Sequence, residues 1–301
     1  MIKTPPYLKK GDYIGITCPA GYMAAEKAQA CITTLQHWGF EVMQGKTLGS
    51  KSKNYFSGTD EQRRDELQAM LDDKDIKAIL CCRGGYGVGR IIDQFDFTEF
   101  KKYPKWIIGF SDITVLHAHL FTKIKTASLH APMAAAFNDG ENEFTRSLHH
   151  ALTGKKAKYH CAAHPFNKQG EVTGTLVGGN LSLLAHLTGT ASSINTKNAI
   201  LFFLYIGEQV YSIDRMLYQL KRSGKFDKLA GLLIGGFTDM QDTDRPFGKK
   251  VYQVIQEIID VYGYPVAFGF PVSHQKENYA LKVGVPYTLR VTKSKTFLTE
   301  V

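Results

Sequence analysis

Residues 106–120 read Trp-Ile-Ile-Gly-Phe-Ser-Asp-Ile-Thr-Val-Leu-His-Ala-His-Leu, and this stretch decides the fold. Its first three residues are apolar and partly β-branched, which predicts the end of a buried strand. Gly109 gives the backbone room to turn, and the following residues predict a helix over 113–123. Ser111 therefore stands on a strand-to-helix turn at the carboxyl end of a strand, where open α/β sheets place their ligands.

Two interpretations of Ser111 are open from this stretch. In the first, the turn resembles the nucleophile elbow of serine hydrolases, although Asp112 and Ile113 replace the small residue and the glycine of the usual pattern. Helix amides and the positive end of the helix dipole would then stabilise charge that develops beside Ser111. In the second, Ser111 or Asp112 caps the helix that follows. Taken alone, the stretch favours the cap.

The composition is that of an ordinary globular protein. With 301 residues, 44% of them hydrophobic and 22% charged, the chain can bury a full core and form two domains. No segment reaches the length of a membrane span, and residues 1–6 lack the apolar core of a signal peptide. We therefore expect a cytoplasmic protein with no membrane partner. Five cysteines without a C-x-x-C pair indicate reduced thiols.

The net charge of +9 would suit an anionic partner. The lysines, however, are scattered in small groups between acidic residues, and no basic stripe with interleaved aromatic residues is present. We therefore expect no nucleic-acid partner.

Strands and helices alternate through the first half of the chain. Apolar runs predict strands over residues 13–17, 41–44, 76–82 and 127–130, with helices between them. This alternation predicts an α/β domain over residues 1–140, with a parallel sheet of the flavodoxin or class I glutaminase type.

The second half is organised differently. Residues 141–170 are polar and rich in His, Lys and Gly, which predicts a linker. Residues 171–301 then predict a smaller, β-rich C-terminal α/β domain, with a turn at 174–181 that opens a helix. Short strands are predicted near its end, over 266–270, 280–283 and 287–291.

No cofactor or metal motif has the required spacing. In the run Gly-Tyr-Gly-Val-Gly-Arg at 85–90, the third glycine stands one position too early for a dinucleotide fingerprint. His117 and His119 would face different sides of a helix, which does not suit zinc. The glycine-rich turn itself remains open to two interpretations: one wall of an oxyanion hole, or a tight turn that needs positive φ. Cys81 and Cys82 lie within a predicted strand and are interpreted as buried thiols.

His274 follows a predicted strand, in the run Gly-Phe-Pro-Val-Ser-His at 269–274. A single loop histidine is usually a surface residue. Together with Ser111 from the other half of the chain, it becomes a candidate general base.

Four segments together resemble the LD-carboxypeptidase family, the serine peptidases of the muramoyltetrapeptide carboxypeptidase and microcin C immunity type. They are Arg-Gly-Gly-Tyr-Gly at 83–87, Gly-Phe-Ser-Asp-Ile-Thr at 109–114, Gly-Gly-Asn-Leu at 178–181 and the segment that ends at His274. They occur in the family's order and span nearly the whole chain. The resemblance implies an N-terminal domain with the serine, a smaller C-terminal domain with the acid and the histidine, and a site between them. It also implies a homodimer and no cofactor or metal.

The resemblance assigns roles to individual residues. It makes Ser111 the nucleophile and His274 the base. The remaining residues that it brings to the site are the oxyanion donors and substrate-binding candidates Asp112, Gly84, Gly85, Arg83 and Tyr86.

One position departs from the family pattern. The family's catalytic acid is the Glu of a Leu-Glu-Asp run, and in the same frame this chain has Leu204. Leucine cannot accept the imidazole N–H, and loss of a triad acid lowers kcat by about 10⁴ in measured cases. Glu208 matches a second glutamate of the pattern. Two interpretations are open: Glu208 takes over as the acid, or it anchors the following helix.

The resemblance implies a serine carboxypeptidase that releases terminal D-alanine from muropeptide tetrapeptides at an L,D bond, in peptidoglycan recycling. Because of Leu204, one alternative is a catalytically impaired homologue that binds muropeptides. A further alternative is a hydrolase of peptidyl-nucleotide toxins, as in the immunity branch of the family.

Overall fold

A computed structural model describes residues 2–301 of the chain. Over these residues the strands, numbered in chain order, are β1 Tyr13–Thr17, β2 Glu41–Gln44, β3 Ile76–Cys81, β4 Trp106–Gly109, β5 Ser128–His130, β6 Lys158–Ala162, β7 Gly170–Asn180, β8 Ala199–Ile206, β9 Gly231–Thr238, β10 Val266–Ala267, β11 Leu281–Val283, β12 Pro286–Val291 and β13 Lys295–Glu300. The α-helices are α1 Gln29–His37, α2 Asp60–Asp72, α3 Thr98–Lys102, α4 Thr114–His119, α5 Glu143–Leu152, α6 Leu181–His186, α7 Val210–Arg222 and α8 Val251–Ile259.

The chain divides into two compact units. The first contains the residues up to Lys155 together with Tyr279–Val283, and the second contains Lys156–Asn278 and Gly284–Val301. The boundary near Lys155 falls inside the stretch 141–170 that the sequence predicted as a linker.

In place of that linker the structure has the helix α5, which belongs to the first unit, and the strand β6, which belongs to the second. The helix buries Phe144, Leu148 and Leu152, which recur every four residues. Its other positions are largely polar, so the average composition of the stretch concealed an amphipathic helix.

The first unit is built on a six-stranded sheet in the order β11-β5-β4-β3-β1-β2. The strands β1 to β5 pair in parallel, and the helices between them are those that the alternation predicted, so the predicted α/β fold class is confirmed. The strand β11 pairs antiparallel with β5. This last strand was assigned to the C-terminal domain from the sequence, but in the structure it completes the first sheet, because pairing between distant segments leaves no local signal.

The helix α2 begins with a capping interaction between two side chains and two backbone amides. The side chain of Thr59 accepts a hydrogen bond from the Gln62 amide, and the Gln62 side chain accepts one from the Thr59 amide. This reciprocal capping box fixes the start of the helix.

The second unit is built on a seven-stranded mixed sheet in the order β10-β9-β8-β7-β12-β13-β6. Where the sequence predicted a turn at 174–181, the structure has the long strand β7, and α6 begins directly after it. The glycines that indicated a turn serve close strand packing instead, because a Cβ on Gly178 would lie 1.9 Å from the carbonyl oxygen of Phe202 on β8.

Among residues 2–301, no helix has both the length and the apolar character needed to cross a bilayer.

Cys81 and Cys82 are buried free thiols, and burial raises the pKa of the Cys81 thiol. Both cysteines therefore behave as ordinary core residues.

Candidate active site

The turn at Ser111 is tight and strained. The strand β4 ends at Gly109, and a single 3₁₀ turn, Ser111–Ile113, leads into α4. Ser111 has φ +62°, in the left-handed region that non-glycine residues rarely adopt. Such a conformation costs on the order of 1–3 kcal/mol and is concentrated at functional sites. Gly109 makes the turn possible, since a Cβ there would lie 2.9 Å from Cγ1 of Ile113.

The interpretation of Ser111 or Asp112 as a helix cap is wrong. In the described part of the chain, neither the 3₁₀ turn nor α4 has a side-chain cap. The Asp112 carboxylate instead accepts a hydrogen bond of 2.8 Å from the amide of Val88, in the glycine-rich turn after β3. The Asp112 side chain is therefore directed at the glycine-rich turn and not at the start of the helix.

The glycine-rich turn packs directly against the serine. A Cβ placed on Gly84 would lie 2.9 Å from Cβ of Ser111, 3.2 Å from its Oγ and 3.2 Å from the Asp112 amide nitrogen. The backbone of this turn therefore runs beside both the hydroxyl and the amide that follows it.

Both backbone and side-chain hydrogen bonds hold the rest of this turn. The amide of Gly21 donates to the carbonyl of Gly84, and Gly85 has φ +91°. The exposed Arg83 donates through Nη1 to the carbonyl of Tyr22, at 2.7 Å. Tyr86 is 51% exposed, so its ring is accessible to a ligand.

Asp112 carries an unusual carboxyl group. The residue is 1% exposed, and desolvation raises its pKa to about 6, against the smaller effects of the Val88 amide and the Arg63 guanidinium. At neutral pH the carboxylate is charged and bonded to Val88.

In the second unit, His274 lies in a loop that follows β10. Ser273 shapes this loop, since its hydroxyl donates to the carbonyl of Glu277 at 2.9 Å and accepts from the amide of Gln275 at 3.0 Å. The amide of Gly236, on β9, donates to the carbonyl of Val272. The loop is therefore fixed to the end of a central strand.

The imidazole of His274 has the protonation state that a general base needs. Burial lowers its pKa to about 4, so the ring is neutral at pH 7 and can accept a proton.

Leu204 lies in the same part of the second unit. It is fully buried near the end of β8, and a Cβ on Gly235 would lie 3.2 Å from Cβ of Leu204 and 2.3 Å from the carbonyl oxygen of Val272. The side chain at position 204 therefore emerges close to the segment that leads to His274. The leucine side chain has no hydrogen-bond acceptor.

Glu208 lies beyond the end of β8. Its Oε1 accepts a hydrogen bond of 2.9 Å from the amide of Gln209, directly before α7, and its carbonyl accepts from the amide of Gln241. These contacts are those expected of a residue that anchors the start of the helix. A role as the acid stays a prediction.

Two residues of the site were missed from the sequence. Arg63 is fully buried and lies one helical turn before Leu67 on the apolar face of α2. A charged residue in an apolar stripe is the signal that could have identified it. His117 was considered from the sequence only as a metal ligand. In the structure it is fully buried, and its Nε2 lies 2.8 Å from the carbonyl oxygen of Gly109, at the base of the Ser111 turn.

The fold and the site together define the class of this protein. A serine in the left-handed conformation follows a central strand of a parallel sheet, and a glycine-rich turn packs against it. This is the elbow geometry of α/β proteins with a serine nucleophile.

Comparison with known proteins gives the family. Residues 14–131 match the N-terminal domain of LD-carboxypeptidases, and residues 173–289 match the C-terminal domain. The probable murein peptide carboxypeptidase of Bacillus subtilis (strain 168) is 34% identical over 301 residues, covering 98% of this chain and 94% of that protein. The chain belongs to the LD-carboxypeptidase family, and its relatives support a peptidase.

Two further relatives represent both branches of the family. The crystal structure of muramoyltetrapeptide carboxypeptidase from Oxalobacter formigenes has a TM-score of 0.87 at 29% identity, covering 96% of this chain and 98% of that one. The microcin C7 self-immunity protein MccF of Escherichia coli is 27% identical to this chain. The match covers 100% of this chain and 98% of MccF.

Proposed function

We propose that this chain is a serine carboxypeptidase of peptidoglycan recycling. It hydrolyses the bond between an L-centre, diaminopimelate or lysine, and the terminal D-alanine of a muropeptide tetrapeptide. The observation that carries the proposal is the left-handed Ser111 with the Gly84 backbone packed against its hydroxyl. Relatives named as murein peptide and muramoyltetrapeptide carboxypeptidases support the choice of substrate.

The proposed reaction has two steps. The Oγ of Ser111 attacks the carbonyl carbon of the scissile bond while His274 takes the hydroxyl proton, and the oxyanion is stabilised by the amides of Asp112 and the Gly84–Gly85 turn. His274 then gives its proton to the amine of the departing D-alanine, which leaves an ester on Ser111. In the second step His274 deprotonates a water molecule that hydrolyses this ester.

We also propose that the exposed side chains of Arg83 and Tyr86 contact the peptide. Arg83 uses Nη1 to bind the carbonyl of Tyr22, which holds the guanidinium in place. A guanidinium held in this way suits a carboxylate such as that of terminal D-alanine.

Leu204 supports a second candidate function, a homologue that binds muropeptides with little turnover. Without an acid, nothing at position 204 stabilises the imidazolium form of His274 that arises in both steps. In this case Ser111 and its surroundings still bind the peptide, and the rate falls.

The similarity to MccF favours a third candidate, hydrolysis of a peptidyl-nucleotide. The same nucleophile and oxyanion donors would serve this reaction, since it too involves attack on an acyl carbon. The leaving group alone differs.

One assay tests the proposal against both alternatives. Purified protein is incubated with a tetrapeptide muropeptide, and released D-alanine is quantified for the natural protein and for Ser111→Ala. Release above the Ser111→Ala level supports the carboxypeptidase. Binding of the muropeptide by calorimetry without release identifies the impaired homologue, and cleavage of a peptidyl-nucleotide alone identifies the immunity-type hydrolase.

We further propose that the protein works in the cytoplasm as a homodimer, as the family resemblance implies. Light scattering on the purified protein tests the dimer, because a monomer at micromolar concentration would contradict it. Fractionation of the producing cells tests the compartment.

A further inference from the structure

A single peptide group in the glycine-rich turn is held from both ends. The carbonyl oxygen of Gly87 accepts a hydrogen bond of 3.3 Å from Nη1 of Arg63, and the amide of the same peptide, that of Val88, donates one of 2.8 Å to Oδ2 of Asp112. The two side chains come from α2 and from the Ser111 turn. Three separate segments of the first unit therefore meet at this peptide.

Both charged groups lie in the interior. Arg63 is 0% exposed and Asp112 is 1% exposed, so each would be costly to bury alone. The peptide between them satisfies one hydrogen bond of each, and the opposite charges stabilise one another across it. We call the arrangement of Arg63, the Gly87–Val88 peptide and Asp112 the peptide clamp.

Arg63 also holds the neighbouring turn. Its Nη1 donates to the carbonyl of Pro19 at 2.6 Å, and its Nη2 binds Asp60. The Pro19 turn leads to Gly21, whose amide donates to the carbonyl of Gly84. The turn that carries Gly84 is therefore restrained on both sides by contacts that lead back to Arg63.

We propose that Arg63 and Asp112 are positioning residues that hold the Gly84–Gly85 turn against Ser111 through the peptide clamp. Neither side chain takes part in the bond changes. They fix the backbone donors that the oxyanion needs. This inference rests on the proposed function of the site, because it assigns these two side chains a part in the same reaction.

The clamp predicts a specific kinetic signature. Oxyanion donors act on charge that exists only in the transition state, so their displacement lowers kcat and leaves KM little changed. Loss of one such donor costs about 10²–10³ in kcat. We expect Asp112→Ala to fall in this range. Asp112→Asn should lose less, since its amide oxygen can still accept from Val88.

The experiment compares these two variants and Arg63→Met with a matched structural control, Lys105→Met. Lys105 is a cation of the first unit that is also 1% exposed, and its Nζ binds the carbonyls of Met70 and Asp73 at the end of α2. Its removal should lower the melting temperature and leave kcat within about twofold of the natural protein. Hydrogen exchange over residues 84–90, measured by mass spectrometry, adds a readout that does not depend on activity.

The clamp is supported if kcat falls strongly in Asp112→Ala and in Arg63→Met while KM stays nearly constant. The kcat of Asp112→Asn should lie between the values of these two variants and that of the natural protein. Faster exchange over residues 84–90 should accompany it, and Lys105→Met should show neither effect. The clamp is overturned if exchange over 84–90 is unchanged in Asp112→Ala, or in Arg63→Met should the alanine variant not fold. The clamp is also overturned if kcat falls in proportion to the loss of melting temperature in every variant, including the control Lys105→Met. If the natural protein releases no D-alanine, the proposed function fails, and the exchange measurement still decides whether the clamp holds the turn.

Discussion

The Nε2 atom of His117 lies 2.8 Å from the carbonyl oxygen of Gly109, at the end of the strand that leads to Ser111. The other ring nitrogen, Nδ1, lies 2.8 Å from Oγ of Ser128 on the neighbouring strand. A carbonyl oxygen can only accept, so Nε2 carries the proton and Nδ1 accepts from the Ser128 hydroxyl. The imidazole therefore connects β5 to the residue from which the serine turn begins.

His117→Leu should lower stability and activity together. It removes one donor to the carbonyl of Gly109 and leaves the buried hydroxyl of Ser128 without its acceptor, at a cost of about 1–3 kcal/mol in the free energy of unfolding. His117→Gln should lose less, since its amide can still reach the carbonyl. Urea unfolding and D-alanine release measure the two effects, and equal losses in both variants would contradict the assigned hydrogen bond.

Stability should depend on pH through His117. Burial lowers the pKa of its imidazole to about 4, whereas in the unfolded chain it titrates near 6.5. As the pH falls, the unfolded state takes up the proton first. The stabilisation is therefore complete above about pH 6.5 and is lost toward pH 4.

The comparison with His117→Gln isolates this effect from other titrating groups. The stability difference between the natural protein and this variant should shrink by about 2 kcal/mol between pH 7 and pH 5. Asp112, whose raised pKa gives the opposite slope, is present in both proteins and cancels. A difference that stays constant with pH would show that His117 is not buried as a neutral ring.

Gly84→Ala should impair the site by steric contact alone, because Gly84 does not have a positive φ that alanine would disfavour. The new methyl group would lie 2.9 Å from Cβ of Ser111 and 3.2 Å from the Asp112 amide nitrogen, so the turn must move away from the serine. We expect kcat to fall by about 10² or more. Gly263→Ala is the control, because a Cβ there has no neighbour within 4 Å. Similar activities for the two alanine variants would exclude the contact.

Ser111→Gly should be more stable than Ser111→Ala. Alanine keeps the strain of the left-handed conformation at φ +62°, whereas glycine adopts it freely. We expect a difference of about 1 kcal/mol in the free energy of unfolding. Both variants lack the hydroxyl, so the difference between their free energies of unfolding, measured by urea titration, reports the backbone strain. A glycine variant that is less stable than the alanine variant would contradict the strained turn.

Leu204→Glu should raise the rate of D-alanine release if the natural protein lacks a working acid. The measured cost of losing a triad acid sets the upper limit of this gain at about 10⁴ in kcat. Glu208→Gln is the opposite test: it should abolish activity only if Glu208 has taken over as the acid. If neither change alters kcat, the side chains at positions 204 and 208 do not supply the acid.

Much of the first unit was predictable from local patterns. The strands β1, β3 and β4 are runs rich in apolar residues, and the short strands β2 and β5 continue the alternation of strands and helices. The start of α2 is a hydroxyl cap followed by acidic residues. The serine turn was located correctly for the same reason, since a strand, a glycine and a helix follow one another directly. The function of that turn required the resemblance to a family, because a cap and a nucleophile elbow have the same local sequence pattern.

The rest depends on contacts between distant segments. Arg63 and Asp112 meet on one peptide only after α2 and the serine turn have packed, and no periodicity in the sequence links them. The strand β7 was mistaken for a turn because its glycines allow a close approach to β8 rather than a reversal of the chain. Local propensity does not show which distant backbone segment will pack closely against a glycine.

The antiparallel strand β11 has a consequence for how the protein is made. The first sheet receives its sixth strand from Leu281–Val283, and the second sheet includes β13, Lys295–Glu300. During synthesis on the ribosome, the first sheet lacks a strand until residue 283 has emerged, and the second until residue 300 has emerged. Early ribosome-bound fragments therefore expose the open edge of β5, where another chain can pair, and truncations that remove the last segment should aggregate rather than yield an isolated first unit.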